Sequence, residues 1–143
     1  MLFRSDDADT LFQIGPVARA RRLLPRRVAV EAEVHDVDGG LVRAEVAGPD
    51  GVLATGLLAL DGDWAGVRGV EVSAAHRGRG LALAVMAALL EVAAESGART
   101  AYLQVLADNA PALRLYAGLG FTDHHRYTYL AAAPTAPATV SSG

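Results

Sequence analysis

The residues most able to do chemistry gather in one stretch, Val70-Glu71-Val72-Ser73-Ala74-Ala75-His76-Arg77-Gly78-Arg79-Gly80-Leu81-Ala82, followed by an apolar run to Ala94. A β-branched strand, a tight Gly and Arg turn and a helix of small first residues bring the turn's backbone amides together at a helix N-terminus. Free N–H groups and the positive end of the helix dipole favour an anion there, and glycine lets a phosphate approach the backbone closely. Two common phosphate loops do not fit. A nucleotide-triphosphate loop needs Lys and then Ser or Thr after its last glycine, whereas Leu81 follows Gly80. The dinucleotide fingerprint needs a third glycine where this chain has Leu83.

Arg77, Gly80 and Ala82 form Arg-x-x-Gly-x-Ala, which resembles the pyrophosphate loop of the GNAT N-acetyltransferase superfamily. Downstream, Asn109-Ala110-Pro111-Ala112-Leu113-Arg114-Leu115-Tyr116-Ala117-Gly118-Leu119-Gly120-Phe121 resembles the same superfamily's later motif, an Asn-capped short helix that carries Leu-Tyr and ends in Gly-Phe. The two motifs occur in the expected order, one helix and one strand apart, and cover about the last half of the chain.

The resemblance implies an α/β protein with a mixed α+β sheet. An antiparallel meander leads into a right-handed strand-helix-strand crossover whose two parallel strands splay apart to admit acetyl-coenzyme A. It implies that the backbone around Val70, Glu71, Val72 and Ser73 holds pantetheine, with Asn109 as a further contact, and that Arg77, Gly78, Arg79, Gly80, Leu81 and Ala82 hold the pyrophosphate. The activity implied is transfer of an acetyl group to the amine of a small molecule or peptide, with acetyl-coenzyme A as co-substrate. An ammonium of pKa about 10.4 must first lose a proton, and the departing thiolate must gain one. Tyr116 matches the superfamily's tyrosine acid. Its reference pKa of about 10 lies above the roughly 8.5 of a thiol, so it serves by a hydrogen bond that tightens as charge develops on sulfur.

The base is less clearly marked. Relatives carry a carboxylate where this chain has Gln104, or near Gly66, and neither is acidic. Glu71 is the nearest carboxylate in sequence, but strand alternation turns it away from the cleft unless a bulge re-aims it. His35, His124, His125 and a water held by Gln104 are the other candidates. An alternative reading is a catalytically silent acetyl-coenzyme A binding module or regulatory half-domain. No metal is expected, because His124 and His125 are adjacent in a strand and point to opposite faces, and no carboxylate-histidine spacing accompanies them.

The elements that must position these groups can be read from the pattern. Pro16 to Arg27 holds one short helix candidate, which carries Arg19, Arg21, Arg22, Arg26 and Arg27 and ends at Pro25. Val28 to Val34, Leu41 to Val46 and Val52 to Leu60 read as three antiparallel strands, joined through Asp38-Gly39-Gly40 and Gly48-Pro49-Asp50-Gly51. Trp64 to Ser73 is a fourth strand, entering the phosphate turn. The helix from Gly80 to Ser96 is expected to bury Leu83, Met86, Ala87, Leu90 and Ala94 and to end at Gly97. Thr100 to Leu106 is a strand with Ala101, Leu103 and Val105 on one face. Asn109 caps a short helix with Pro111 in its first turn, and Phe121 to Leu130 completes the sheet.

Composition bounds the rest. At 143 residues, 52% hydrophobic and 20% charged, the chain suits one globular domain, read as residues 1–130, with a disordered Ala, Pro, Thr and Ser tail at 131–143. A net charge of −3 argues against nucleic acid as a partner. There is no cysteine, which excludes disulfides, cysteine-held metals and thiol nucleophiles, and all thirteen basic residues are arginine. The acidic segment Met1 to Asp9 is unlike a secretory signal, and Leu81 to Leu90 is too short to span a bilayer, so a cytoplasmic protein without membrane partners is expected. The short N-terminal region leaves open a trimmed domain, a homodimer, or the carboxy-terminal half of a longer protein.

Overall fold

A computed structural model describes residues 10–28 and 30–127. The chain runs β1 (Thr10–Pro16), α1 (Val17–Leu23), β2 (Glu33–Asp38), β3 (Leu41–Gly48), β4 (Gly51–Asp61), β5 (Trp64–Val72), a single 3-10 turn (Ala74–His76), α2 (Leu81–Glu95), β6 (Thr100–Leu106), α3 (Ala110–Gly118) and β7 (Thr122–Tyr127). All seven strands form one mixed sheet in the order β2-β3-β4-β5-β6-β1-β7. β2 to β5 make the expected antiparallel meander, and β5 and β6 pair in parallel across α2.

One face of the sheet carries the core. Val42, Ala44 and Val46 from β3, Ala54 and Leu58 from β4, Ala65 and Val67 from β5, and Ala101, Leu103 and Val105 from β6 are buried, as strand alternation requires. α2 packs against β3, β4 and β5, and α1 lies beside α2. A Cβ on Gly56 would lie 2.7 Å from the Val85 side chain, so the helix sits directly on the β4 backbone at that glycine. The end of α3 joins the same face. A Cβ on Gly15 of β1 would meet the Gly120 carbonyl at 3.3 Å, and one on Gly120 would meet Leu23 of α1 at 3.1 Å.

Four sequence expectations need correction. The helix predicted to end at Pro25 stops at Leu23, because Leu24, preceding Pro25, is extended at φ −67°, ψ 144°. The first meander strand is Glu33–Asp38 rather than Val28 to Val34. Gly39 and Gly40, both at positive φ, set the hairpin, and the strand is counted back from that turn on a wholly exposed edge that leaves no hydrophobic signature. In α2 the buried stripe is Leu81, Ala84, Val85, Met86, Leu89, Leu90 and Ala93, so Leu83, Ala87 and Ala94 lie beside it rather than at its centre. Nearly every α2 residue is apolar, so periodicity alone does not phase it. Finally β1, which the sequence reading lacked, enters the sheet antiparallel to both β6 and β7. The tail at 131–143, the segment Met1 to Asp9 and the end of the last strand to Leu130 lie outside the described residues. No helix among those described is long and apolar enough to cross a membrane.

Candidate functional site

β5 and β6 pair only from Trp64↔Thr100 to Val67↔Leu103. Beyond that point β5 continues to Val72 against β4, and β6 continues to Leu106 against β1. The two strands therefore part, and between residues 68–72 and 104–106 each has a main-chain edge with no strand partner on the facing side among the described residues. Irregular backbone at the opening helps part them. β4 and β5 shift register between Thr55 and Leu57, so that Gly69 and Val70 together oppose Gly56, with Gly69 at φ +67°. This is a β-bulge, and it inverts the alternation. Val67 before it and Val70 after it both turn to the helix face, whereas Glu71 turns to the other, beside Thr55.

β5 delivers the chain to the turn. Gly78 and Gly80 are left-handed, at φ +80° and +78°, and a Cβ on either would meet nothing within 4 Å. They are thus required by conformation rather than by crowding, and space lies open before them. Gly80 is the N-cap of α2 without a side-chain cap, and its carbonyl accepts the first helical bond, from the Ala84 N–H at 3.1 Å. The first amides of α2 have no intrahelical acceptor, as at any helix start. Among the described residues no backbone carbonyl takes the amides of residues 81 to 83. Arg77 does not point outward freely: its Nε donates to the Val72 carbonyl at 3.3 Å. Arg79 makes no ion pair among the described residues.

Asn109 caps α3 as predicted, its side-chain oxygen accepting from the Ala112 N–H at 3.3 Å, with Pro111 in the first turn. Tyr116 is 6% exposed, and its ring packs edge-on against Phe121 at 6.0 Å. Burial pushes its phenol pKa above the ordinary value near 10. Gln104 is exposed, level with Phe12 on β1. At Gly66 a Cβ would stand 2.6 Å from the Tyr102 ring and hydroxyl. Space that a side chain at residue 66 would take is thus filled by Tyr102, whose ring also contacts Trp64 at 5.8 Å and stacks on Phe12 at 5.6 Å. Sequence reasoning missed that aromatic group. A glycine in a strand opposite a tyrosine was the available sign.

His35 is not near the turn. It lies on edge strand β2, its Nε2 3.5 Å from Glu45 and 3.8 Å from Glu33. The donor atoms of these three residues lie within 4.8 Å of one another, which makes them the metal-capable group among the described residues. They are largely solvated, and the contacts between the imidazole and the two carboxylates account for the arrangement. His124 is exposed on β7, its ring 6.1 Å from Phe12; the side chain of His125 lies outside the described residues. The surface of the described residues includes two shallow hollows. One of about 220 Å³ lies between the ends of β4 and β5 and includes Thr55, Glu71 and Ser73. The other, of about 600 Å³, lies between α1 and α2 beside Arg21, Arg22, Arg26 and Glu91.

Comparison with known proteins agrees with this geometry. A sequence-family profile described as the C-terminal region of the probable histone acetyltransferase Rv0428c matches residues 4–130. The uncharacterized N-acetyltransferase YobR of Bacillus subtilis is 32% identical over 79 residues, spanning 53% of this chain and 32% of that protein. Among solved structures, a tandem GNAT protein from the clavulanic acid biosynthesis pathway superposes with a TM-score of 0.68 at 15% identity, over 84% of this chain and 51% of the other. A putative GNAT acetyltransferase from Novosphingobium aromaticivorans gives 0.59 at 23% identity, over 83% and 61%. The chain thus spans about a third of that curated relative and half to three fifths of these structures.

Proposed function

The chain belongs to the GNAT acetyltransferase family, and on that premise we propose that it is an N-acetyltransferase that takes acetyl-coenzyme A in the cleft between β5 and β6. The observation that carries this reading is the continuity of three open groups: the unpaired edge of β5 past Val67, the left-handed glycines 78 and 80, and the uncommitted first amides of α2. Pantetheine then runs along β5 at Val70 and Val72, and the pyrophosphate sits against the amides of Gly78 to Ala82. Arg77, bonded to the Val72 carbonyl, braces the turn, while Arg79, without an ion pair among the described residues, supplies positive charge.

In the transfer step the amine nitrogen forms a bond to the thioester carbonyl carbon and the carbon–sulfur bond breaks. One proton leaves the amine and one neutralises the sulfur. Glu71, turned by the bulge away from the helix face, is the proposed acceptor of the first, directly or through water. Tyr116 is the proposed donor toward sulfur, and its raised pKa keeps it protonated at every physiological pH. Asn109 fixes the start of the helix that carries Tyr116 and is the further proposed pantetheine contact.

The test has two readouts. Acetyl-coenzyme A at a hundred times its Kd should stabilise the chain by about 2.7 kcal/mol, seen as a rise in Tm. Gly80→Glu, which puts bulk and negative charge into the turn, should remove that rise. Release of free coenzyme A with an amine panel then separates catalysis from binding. A second reading, a binding module without chemistry, is favoured by the neutral Gln104 and by the Tyr102 ring over Gly66. It predicts the same rise in Tm and no amine-dependent release.

A further inference from the structure

The sheet face opposite the helices carries two rows of charge side by side across four strands. Glu33, Glu45, Thr55 and Glu71 are successive Cα partners on β2, β3, β4 and β5. Next to them His35, Arg43, Leu57 and Arg68 are likewise successive partners. Their neighbours along the strands, Val42, Ala44, Ala54, Leu58 and Val67, are buried on the helix face, so alternation and the bulge place both rows on the other. Arg43, Arg68 and Glu71 are exposed.

The far end of the acidic row is closed on itself, since His35 lies against both Glu45 and Glu33. Arg43, Arg68 and Glu71 make no ion pair among the described residues. The two arginines flank the half-buried Leu57, two strand spacings or about 10 Å apart at Cα, a distance that two long side chains close readily. Like charges on one rigid face repel, and an anion held between two guanidinium forks relieves that repulsion. Glu71 stands one row further on, where β5 has parted from β6.

We infer that the acceptor is an amine that also bears an acidic group, a carboxylate or a phosphate, which Arg43 and Arg68 hold on the open face while the amine lies beside Glu71 at the cleft. Leu57 between the two arginines offers apolar contact to the carbon chain that joins the two ends. The inference rests on the acetyltransferase reading, and the experiment separates the two.

Thermal unfolding with acetyl-coenzyme A alone comes first. Release of coenzyme A is then followed with matched acceptors: β-alanine against ethylamine, 4-aminobutyrate against propylamine, and phosphoethanolamine against ethanolamine, with spermidine as a polycation. The acid-bearing member of at least one pair should show kcat/KM higher by about tenfold or more, the usual weight of a charge-assisted bond. The carboxylate and phosphate arms distinguish which acid is preferred. Arg43→Gln with Arg68→Gln should raise KM for that acceptor by a similar factor, leave kcat within about twofold, and preserve the rise in Tm with acetyl-coenzyme A. Preference for the neutral amines or for spermidine, an unmoved KM in the double variant, or binding of acetyl-coenzyme A with no turnover of any acid-bearing amine would each overturn the inference. Absence of any rise in Tm strikes the acetyltransferase reading itself, and this inference with it.

Discussion

At Tyr116 burial and proposed role point the same way. A phenol 6% exposed and packed on Phe121 resists ionisation, which suits the proposed role of donating a hydrogen bond toward sulfur without giving up its proton early. Tyr116→Phe keeps the ring packing and removes only the hydroxyl. The expected result is a fall in kcat of about a hundredfold, within the range for general acids, with KM for acetyl-coenzyme A little changed. The same residue makes a stability prediction. Its folded pKa lies above the unfolded value of about 10. Its contribution is therefore fully present below pH 10 and lost as pH rises through the folded pKa. Urea midpoints measured between pH 9 and 11 should fall less steeply for Tyr116→Phe than for the native chain. Glu71 shows how a residue's chemistry waits on its neighbours: its carboxylate is plain in the sequence, but the face it occupies depends on a bulge two residues earlier.

At the scale of elements, glycine positions decide how strand and helix fit. Gly69 takes φ +67° within β5, so Gly69→Val should cost about 1–3 kcal/mol through backbone strain alone, and it should also weaken protection by acetyl-coenzyme A if the bulge closes. A Cβ on Gly56 would stand 2.7 to 3.3 Å from the Val85, Val70 and Leu89 side chains. Gly56→Val should therefore lift α2 from β4 and destabilise by about 1–3 kcal/mol, with the urea midpoint as the measure. The cap on α3 is a smaller matter, and Asn109→Ala should cost about 1 kcal/mol. These elements were legible to different degrees. β6 and the caps at Gly97 and Asn109 have local signals and fall where the sequence places them. β2 is an exposed edge, with nothing but its turn to locate it.

For the whole molecule, the core is one apolar layer between the sheet and its helices, and Leu58 is fully buried within it. Leu58→Ala should cost about 2–5 kcal/mol. By contrast the Arg21–Glu91 ion pair, 2.7 Å long but with both side chains about half exposed, should be worth less than about 1 kcal/mol to Arg21→Ala. The open face has the opposite character: Trp64, Arg43, Arg68 and Gln104 are exposed on it, and the Tyr102 ring packs against Trp64. β1 ties the molecule together. It sits between β6 and β7 with Leu11 and Gln13 buried, and Gln13 donates to Asp123 at 2.9 Å across the sheet.

What the sequence by itself determined is local and chemical: the Arg and Gly turn at a helix start, the Asn-capped helix with its tyrosine, the meander turns, and the absence of cysteine and lysine. Each depends on residues within a few positions of one another, whose φ preferences and hydrogen-bonding groups act over one turn of chain. Tertiary structure alone decided the rest. β1 interrupts its apolar residues with Gln13, Gly15 and Pro16, and becomes a strand because β6 and β7 supply hydrogen-bonding partners about a hundred residues away. The face of Glu71, the Tyr102 ring over Gly66 and the pairing of Arg43 with Arg68 across Leu57 follow from strand register. Register is a relation between strands, and a one-residue bulge reverses it for every residue that follows.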